Sequence, residues 1–144
     1  MSEKFVVGYD GSDAANRALD FAVGRAGSQG ASVLIAHVLE WSPYSFLTPT
    51  ELEQRHKRRS EELARAEKAL ITPAVKRLES SGVAVETAIK YGHIANTLGE
   101  ICTESGASQV FIGREGQDSL SARVFGSVAG SLVQTAPVPC TIVP

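Results

Sequence analysis

The 144-residue sequence has only two cysteines, and they form neither a CxxC pair nor a metal-ligand spacing. We therefore expect Cys102 and Cys140 to be small buried residues in a reducing compartment, which excludes a disulfide framework. The chain also lacks a run of about 18 apolar residues, as a membrane-spanning helix would need. The first residues, MSEKFVVGYDGS, lack the apolar core of a signal peptide. A cytoplasmic protein without membrane insertion is the expectation.

Positive charge is not in excess either. The net charge is -2, so nothing in the composition indicates a nucleic-acid partner. The one basic cluster, RHKRR at 55–59, is flanked on both sides by glutamates, which predicts a solvated, ion-paired helix face. The hydrophobic content of 43% is ordinary for a globular protein. The length predicts one domain, residues 1–144, with a sizeable core.

Several catalytic signatures are absent as well. There is no G-x-x-x-x-G-K-[ST] loop, and no G-x-G-x-x-G follows the first predicted strand, which argues against P-loop hydrolysis and dinucleotide chemistry. No HExxH motif and no serine, histidine and carboxylate set at motif spacing occurs. Asp10 and Glu115 are the only general-base candidates near the loops discussed below. We predict no efficient enzyme, and slow nucleotide hydrolysis at most.

What the sequence does contain is a regular alternation of apolar strands and amphipathic helices. The predicted strands are KFVVGY (4–9), ASVLIAHVLE (31–40), the alternating part of 80–92, SQVFIG (108–113) and VPCTIVP (138–144). Pro73 lies inside the long second helical pattern and predicts either a kink or a new helix with Thr72 near its cap. The order βαβαβαβαβ predicts a doubly wound parallel sheet. Such sheets bind ligands at the carboxyl ends of the strands.

Glycines punctuate the segment GREGQDSLSARVFGS (113–127), which follows the fourth strand and opens the last helix. Glycine lets the backbone approach an anion closely, and successive N–H groups can form an anion-binding nest. A helix beginning at Gly126 and Ser127 adds a positive dipole end that favours a phosphate. The segment therefore predicts a phosphate or nucleotide site, although long loops also use glycine for purely conformational reasons. Arg123 inside the loop is a further candidate for a phosphate contact.

The same segment fits the pattern G-x2-G-x9-G-[ST], and it resembles that of the ATP-binding universal stress proteins. The resemblance covers nearly the whole chain through VVGYDGSDAANRALDFA, IAHVLE, YGHIANTLGEICTESGASQVFIGREG and APVPCTIVP. It implies an open, five-stranded, Rossmann-like α/β fold related to the adenine nucleotide α-hydrolases, with strand order 3-2-1-4-5. It further implies ATP or a related adenine nucleotide, accompanied by Mg²⁺ or Mn²⁺. A homodimer through the C-terminal strand, 138–143, is also implied, and an apolar edge strand would favour such pairing.

The resemblance also assigns roles to individual residues. Asp10, at the end of the first strand, would contact the ribose side of the nucleoside. Val38 would meet adenine through its backbone, and Ile112 would pack near the base. The ribose and phosphates would be held by Gly113, Gly116, Gly126, Ser127 and the N–H group of Val128.

The sequence departs from common forms of that family at a few positions. Arg114 and Glu115 stand where small or polar residues are frequent. A guanidinium group suits a phosphate, whereas the Glu115 carboxylate would repel one unless a metal ion intervenes. Ala129 lacks a hydroxyl that some relatives have. Tyr9 is bulky and is expected to shape the base pocket, with Gly8 beside it in the candidate site.

Less specific interpretations remain open for several residues. Asp10 equally fits a cap of the turn before the first helix. We expect His37 to be a packed or edge histidine, His93 to begin the third helix and His56 to be solvated.

Three functions remain possible. The first is a nucleotide-binding regulatory protein of stress-response type, in which the bound nucleotide modulates a partner interaction. The second is an adenylating enzyme of the related α-hydrolase type, which is disfavoured because YDGSDA lacks the S-G-G-x-D-S pattern. The third is a nucleotide-free dimeric module, which is disfavoured because the glycine motif is intact.

Overall fold

The computed structural model describes residues 3–40, 48–115 and 127–144, and the structural statements that follow concern these ranges. Five parallel strands form one sheet in the order β3-β2-β1-β4-β5, as predicted. The strands are β1 (Lys4–Gly8), β2 (Ser32–Glu40), β3 (Val85–Gly92), β4 (Gln109–Gly113) and β5 (Cys140–Val143).

Helices cover both faces of this sheet. They are α1 (Asp13–Gln29), α2 (Pro49–Ala66), α3 (Thr72–Arg77), α4 (Ile94–Ser105) and α5 (Ser127–Thr135). Ser12 is the N-cap of α1, because its hydroxyl accepts the Ala15 N–H at 3.1 Å. His93 begins α4, which is the third helix of the sequence prediction, and its ring nitrogen accepts the Asn96 N–H at 3.4 Å. Gly106 ends α4 in the left-handed conformation with φ of 69°.

Two apolar layers form the core, one on each side of the sheet. Phe5 and Val7 of β1 face α1 and α3, whereas Val6 between them faces α4 and α5. All three are nearly fully buried, which is why this strand reads as a continuous apolar run instead of an alternating one. The rings of Phe5 and Phe111 are 5.2 Å apart on the α1 face. Each fully buried side chain of this size contributes roughly 1.5–3 kcal/mol to folding.

Pro73 is accommodated without a new helix cap. A π-helical turn spans Glu67–Ile71, and the Thr72 N–H bonds to the Glu67 carbonyl. Ile71 and Thr72 both keep right-handed helical backbone angles, and no side chain caps the start of α3. Because proline has no N–H and clashes with the preceding turn, one wider turn allows the helix to continue past it. Of the two alternatives left by the sequence, the structure therefore shows a continuing, locally distorted helix.

The two cysteines lie in the layer between the sheet and helices α4 and α5. Both are free thiols, and Cys102 is buried whereas Cys140 is only partly buried. Burial raises the pKa of the Cys102 thiol to about 11, with a smaller contribution from the neighbouring Cys140. Cys102 therefore behaves as a small apolar residue, as expected, and Cys140 does so in part.

An open space lies beyond the carboxyl end of β1, because the neighbouring strand β2 extends further than β1 does. The pairing of β1 with β2 ends at Gly8 and Ala36, but β2 continues beside β3 as far as Glu40 and Gly92. The chain crosses from β1 to β2 on one side and from β3 to β4 on the other, so β1 marks the switch in strand order. Ligands of doubly wound sheets bind at this position.

Candidate functional site

A cavity of about 310 Å³ opens at the carboxyl ends of β1, β2 and β4, beside the N-terminus of α5. Its volume lies at the lower end of the range for small-molecule sites, roughly 300–1,000 Å³. The following sequence-predicted site residues line it: Gly8, Tyr9, Asp10, Val38, Ile112, Gly113, Ser127 and Val128. Arg114 does not line it. Gly116, Gly126 and Arg123 lie outside the described residues, so their predicted roles stay predictions.

Asp10 caps the turn before α1, as its sequence context suggested, and it also lies at the cavity. Its carboxylate accepts the Ser12 N–H at 3.0 Å and the Ser12 hydroxyl at 2.5 Å, which closes a tight turn through Gly11. Gly11 has φ of 80°, a conformation that favours glycine. The same aspartate lines the cavity. The turn therefore fixes the carboxylate in place at the edge of the cavity.

Tyr9 is held in position from both its backbone and its side chain. Its N–H bonds to the Ala36 carbonyl at 2.8 Å, and its own carbonyl is 2.6 Å from Nδ1 of His37. Because a carbonyl can only accept, Nδ1 of His37 carries the proton. The Tyr9 hydroxyl donates to Asn16 at 2.8 Å, and burial raises the pKa of this hydroxyl. His37 is thus the packed histidine that was expected, and it orients the turn leading into Asp10.

The inner walls of the cavity are apolar. Val38 and Ile112 are each 8% exposed, and Leu98 of α4 lies between the ends of their strands. A Cβ atom at Gly8 would lie 3.1 Å from Leu98 and 3.2 Å from Ile112, so glycine keeps the floor of the cavity open. A flat apolar group such as an aromatic ring could pack between these walls.

Gly113 is required by packing against α1. A Cβ atom there would lie 2.8 Å from the backbone carbon of Ala14 and 2.9 Å from its carbonyl oxygen. Real side chains essentially never approach a backbone this closely, so the end of β4 meets the first turn of α1 only with glycine at this position. The first glycine of the predicted phosphate motif therefore has a structural reason to be glycine, whatever ligand it lies beside.

Arg114 and Glu115 follow β4 directly and differ in their relation to the cavity. The Arg114 N–H continues the ladder by bonding to the Val143 carbonyl at 2.8 Å, and its half-exposed guanidinium is 3.9 Å from the Glu115 carboxylate. At this distance and exposure the ion pair contributes little to stability. Glu115, not Arg114, lines the cavity. A phosphate contact by Arg114 stays a prediction.

The charged side chains of the described residues that line the cavity are all acidic. Asp10, Glu40 and Glu115 line it, and no lysine or arginine of the described residues does. Among the described residues, the positive electrostatic potential at the cavity comes from the N-terminus of α5, where Ser127 and Val128 lie at the cavity wall. The first N–H groups of a helix have no partners within the helix, so they favour an anion there.

The described residues do not assemble a metal centre. No group of three or more histidine, cysteine, aspartate or glutamate side chains within them is placed to hold a metal ion. The three cavity carboxylates therefore do not converge on one point.

Sequence reasoning missed several residues of the cavity. Glu40 follows Ala36 and Val38 at a spacing of two, and strand alternation could have placed all three on one face. Ile94 and Leu98 are four apart on α4, a spacing that could have placed both on the helix face toward the sheet. His93 does not line this cavity, but it lines a neighbouring depression that shares Glu40 and Ser127 with it.

The comparison with known proteins decides the family. The family model described as "Universal stress protein family" matches residues 1–144. The chain belongs to the universal stress protein family. A curated universal stress protein of Thermus aquaticus is 30% identical over 144 residues, covering 99% of both chains.

Solved structures of universal stress proteins share the fold. UspA of Lactobacillus plantarum matches with a TM-score of 0.85 at 24% identity, covering 99% of this chain and 97% of that one. A universal stress protein of Archaeoglobus fulgidus in complex with dAMP matches with a TM-score of 0.69 at 22% identity, covering 99% and 98%. Another universal stress protein, in complex with cAMP, matches with a TM-score of 0.65 at 24% identity, covering 99% and 96%. These structures confirm the Rossmann-like fold of the universal stress protein family.

The helices also bear on membrane association. Within residues 3–40, 48–115 and 127–144, every helix is too short or too polar to cross a membrane.

Proposed function

We propose that this universal stress protein binds an adenine nucleotide in the cavity at the carboxyl ends of β1, β2 and β4. The observation that carries the proposal is the cavity itself, which joins apolar walls to a helix N-terminus at the switch in strand order. Two structural neighbours in the family hold cAMP and dAMP. These nucleotides share adenine and differ in sugar and phosphate, which supports recognition of the base.

The chemistry of the walls suggests how the nucleotide lies. The base packs against Val38 and Ile112, and the ribose lies beside Asp10, whose carboxylate can accept hydroxyl protons. The phosphate lies at the first N–H groups of α5, next to Ser127 and Val128. Gly113, Gly116 and Gly126 belong to the phosphate side of this proposal. Arg114 is proposed to join them if its weak pairing with Glu115 is exchanged for a phosphate.

The acidic lining bears on which nucleotide is favoured. Asp10, Glu40 and Glu115 oppose the charge of a polyphosphate, so ATP would bind with Mg²⁺ or Mn²⁺ screening its phosphates. AMP carries less charge and depends less on the metal. Titrations of ATP and AMP with and without Mg²⁺ test this difference, because only the affinity for ATP should rise strongly with the ion.

The biological role that fits such a site is regulatory. Nucleotide occupancy would change the interaction of this protein with a partner, provided that the nucleotide binds one conformation better than another. The proposed assembly is a homodimer through residues 138–143 in the cytoplasm, with ATP hydrolysis slow at most.

A negative charge introduced at the start of α5 tests the phosphate position. Ser127→Glu places a negative charge where it favours the helix dipole, so the fold should not be weakened. The same charge should repel a phosphate and lower the AMP affinity about tenfold or more, while leaving adenosine binding nearly unchanged. Gln134→Glu, at the other end of the same helix, is the matched control. Equal losses for AMP and adenosine, measured by calorimetry, would place the phosphate elsewhere.

The adenylating enzyme remains the second candidate. The turn YDGSDA after β1 is closed by Asp10 and Ser12, without the paired glycines of the related enzymes. A pyrophosphate-release assay with ATP and candidate acceptor substrates should show no turnover. Sustained pyrophosphate release would replace the regulatory proposal by the enzymatic one.

A further inference from the structure

The free edge of β2 gives the cavity a hydrogen-bonding wall. Along β2, the peptide groups of Ser32 face β1, since its N–H bonds to the Glu3 carbonyl at 2.9 Å. Those of Val33 face β3, where its N–H bonds to the Ala84 carbonyl at 2.9 Å. Peptide groups alternate in direction along a strand, so those of Val38 face the β1 side again. Because β1 has already ended at Gly8, the Val38 N–H and C=O groups face the cavity.

Glu40 lies next along this same wall. Side chains two apart on a strand share a face, and Ala36, Val38 and Glu40 all line the cavity. Glu40 lies roughly 6.6 Å beyond Val38 along the strand, at the exposed mouth. Within the described residues its carboxylate takes part in none of the ion pairs or side-chain hydrogen bonds. Among the described residues, the Glu40 carboxylate is therefore not engaged in holding the fold together.

We infer that Glu40 selects purines with an amino group at C6 over purines with an oxygen there, an inference that rests on the proposed function. The Val38 N–H can donate to N1 of adenine, and its carbonyl can accept one proton of the C6 amino group. The second proton of that amino group is available to the Glu40 carboxylate. An oxygen at C6, as in hypoxanthine or guanine, faces two acceptors instead, the Val38 carbonyl and the Glu40 carboxylate.

The test compares AMP with IMP, which keep the same sugar and phosphate but differ at C6 and at N1, since N1 of hypoxanthine carries a proton. Affinities of the wild-type protein, Glu40→Gln and Glu115→Gln are measured by calorimetry. Glu115→Gln is the matched control because it removes the same charge from the same cavity. The side-chain amide introduced by Glu40→Gln can donate to an oxygen at C6, so this variant should lower the ratio of AMP to IMP affinity about five- to tenfold. Glu115→Gln should change both affinities by one common factor.

Each outcome separates the base-selection role from nucleotide binding. Selection of the base by Glu40 is supported if the wild-type protein binds AMP more tightly than IMP and the ratio of the two affinities falls in Glu40→Gln but not in Glu115→Gln. A ratio of AMP to IMP affinity that is unchanged in Glu40→Gln, or that falls equally in both variants, overturns base selection by Glu40. The proposed function stands in that case, because AMP still binds. If the wild-type protein binds AMP and IMP equally, base selection alone fails. If it binds neither, both the proposed function and this inference fail.

Discussion

At the scale of single residues, Gly113 shows how one position can satisfy two demands. It lines the cavity, and it also allows the end of β4 to approach the backbone of Ala14 in α1. A methyl group at this site would meet backbone atoms, which cannot move away as a flexible side chain can. The glycine is therefore part of the fold before it is part of any ligand site.

Gly113→Ala should destabilise the protein by about 1–3 kcal/mol, because the added Cβ overpacks against Ala14. Gly24→Ala is the matched control, since Gly24 lies in the interior of α1 with nothing within 4 Å of an added Cβ. The control should stabilise the protein by about 0.5–1 kcal/mol through helix propensity. Urea unfolding measures both. A neutral or stabilising Gly113→Ala would show that β4 and α1 separate easily.

His37 and Glu40 mark what could and could not be predicted at this scale. The apolar surroundings of His37 in the sequence predict a packed histidine, and it is one. Its bond to the Tyr9 carbonyl depends on where β1 stops beside β2, and a sequence does not give that register. Glu40 was not predicted for the same reason. It lies at the cavity because β2 extends beyond the end of β1.

At the scale of elements, the outer end of β3 is joined to α2 by one aromatic side chain. The Tyr91 hydroxyl donates to the Glu62 carboxylate at 2.6 Å, and the Arg59 guanidinium lies 4.9 Å from the ring centroid. Desolvation, followed by the hydrogen bond to Glu62, raises the pKa of Tyr91 to about 12. This contact fixes the charged helix to the edge of the sheet.

Tyr91→Phe should cost about 0.5–1.5 kcal/mol at neutral pH, because the bond to Glu62 is lost. The folded-state pKa lies above the unfolded value of about 10, so the stability that the hydroxyl contributes is fully present below pH 10. It is lost as the pH rises toward 12. The difference between wild type and variant in urea unfolding should therefore shrink over that range. A difference that stays constant from pH 8 to pH 12 would contradict this.

The sequence predicts the existence of the elements better than their ends. Apolar runs place all five strands, and α4 ends at a glycine, Gly106, the residue that most often ends helices. Pro73 predicts a disturbance, since the missing N–H is visible in the sequence. The form of that disturbance, a π-helical turn at Glu67–Ile71, depends on how the buried faces of Ile71 and Ala74 pack against the core. Local patterns do not contain that information.

At the scale of the whole molecule, the order of elements predicted a doubly wound parallel sheet, and the family resemblance implied its strand order. Right-handed crossovers and burial on both faces leave few arrangements of five parallel strands, and the observed order is the predicted one. The cavity at the switch point follows from the same topology. The predicted roles of Gly116 and Gly126 concern residues outside the described ranges, and they remain predictions together with the nucleotide.

The edge strand β5 allows a direct test of the proposed dimer. Pro139, just before β5, and Val143, at its end, bond through their carbonyls to β4, so the peptide groups of odd-numbered residues face β4 and those of even-numbered residues face outward. Ile142→Pro removes an outward N–H and should yield a folded monomer where the wild type is a dimer. Thr141→Pro removes an N–H that faces β4 and should weaken the fold itself.

Sedimentation velocity at micromolar concentration gives the oligomeric state, and circular dichroism gives the fold. A wild-type protein that sediments as a monomer would contradict the proposed dimer. A dimer that persists in folded Ile142→Pro would place the interface on another surface.

The central claim is that an adenine nucleotide binds at the carboxyl ends of β1, β2 and β4, and an NMR titration of the ¹⁵N-labelled protein with AMP tests it most directly. The account predicts saturable shifts in the amides of Gly8, Asp10, Val38 and Val128, with small changes at the opposite end of the sheet. An absence of shifts at millimolar AMP, or shifts confined to other surfaces, would contradict it.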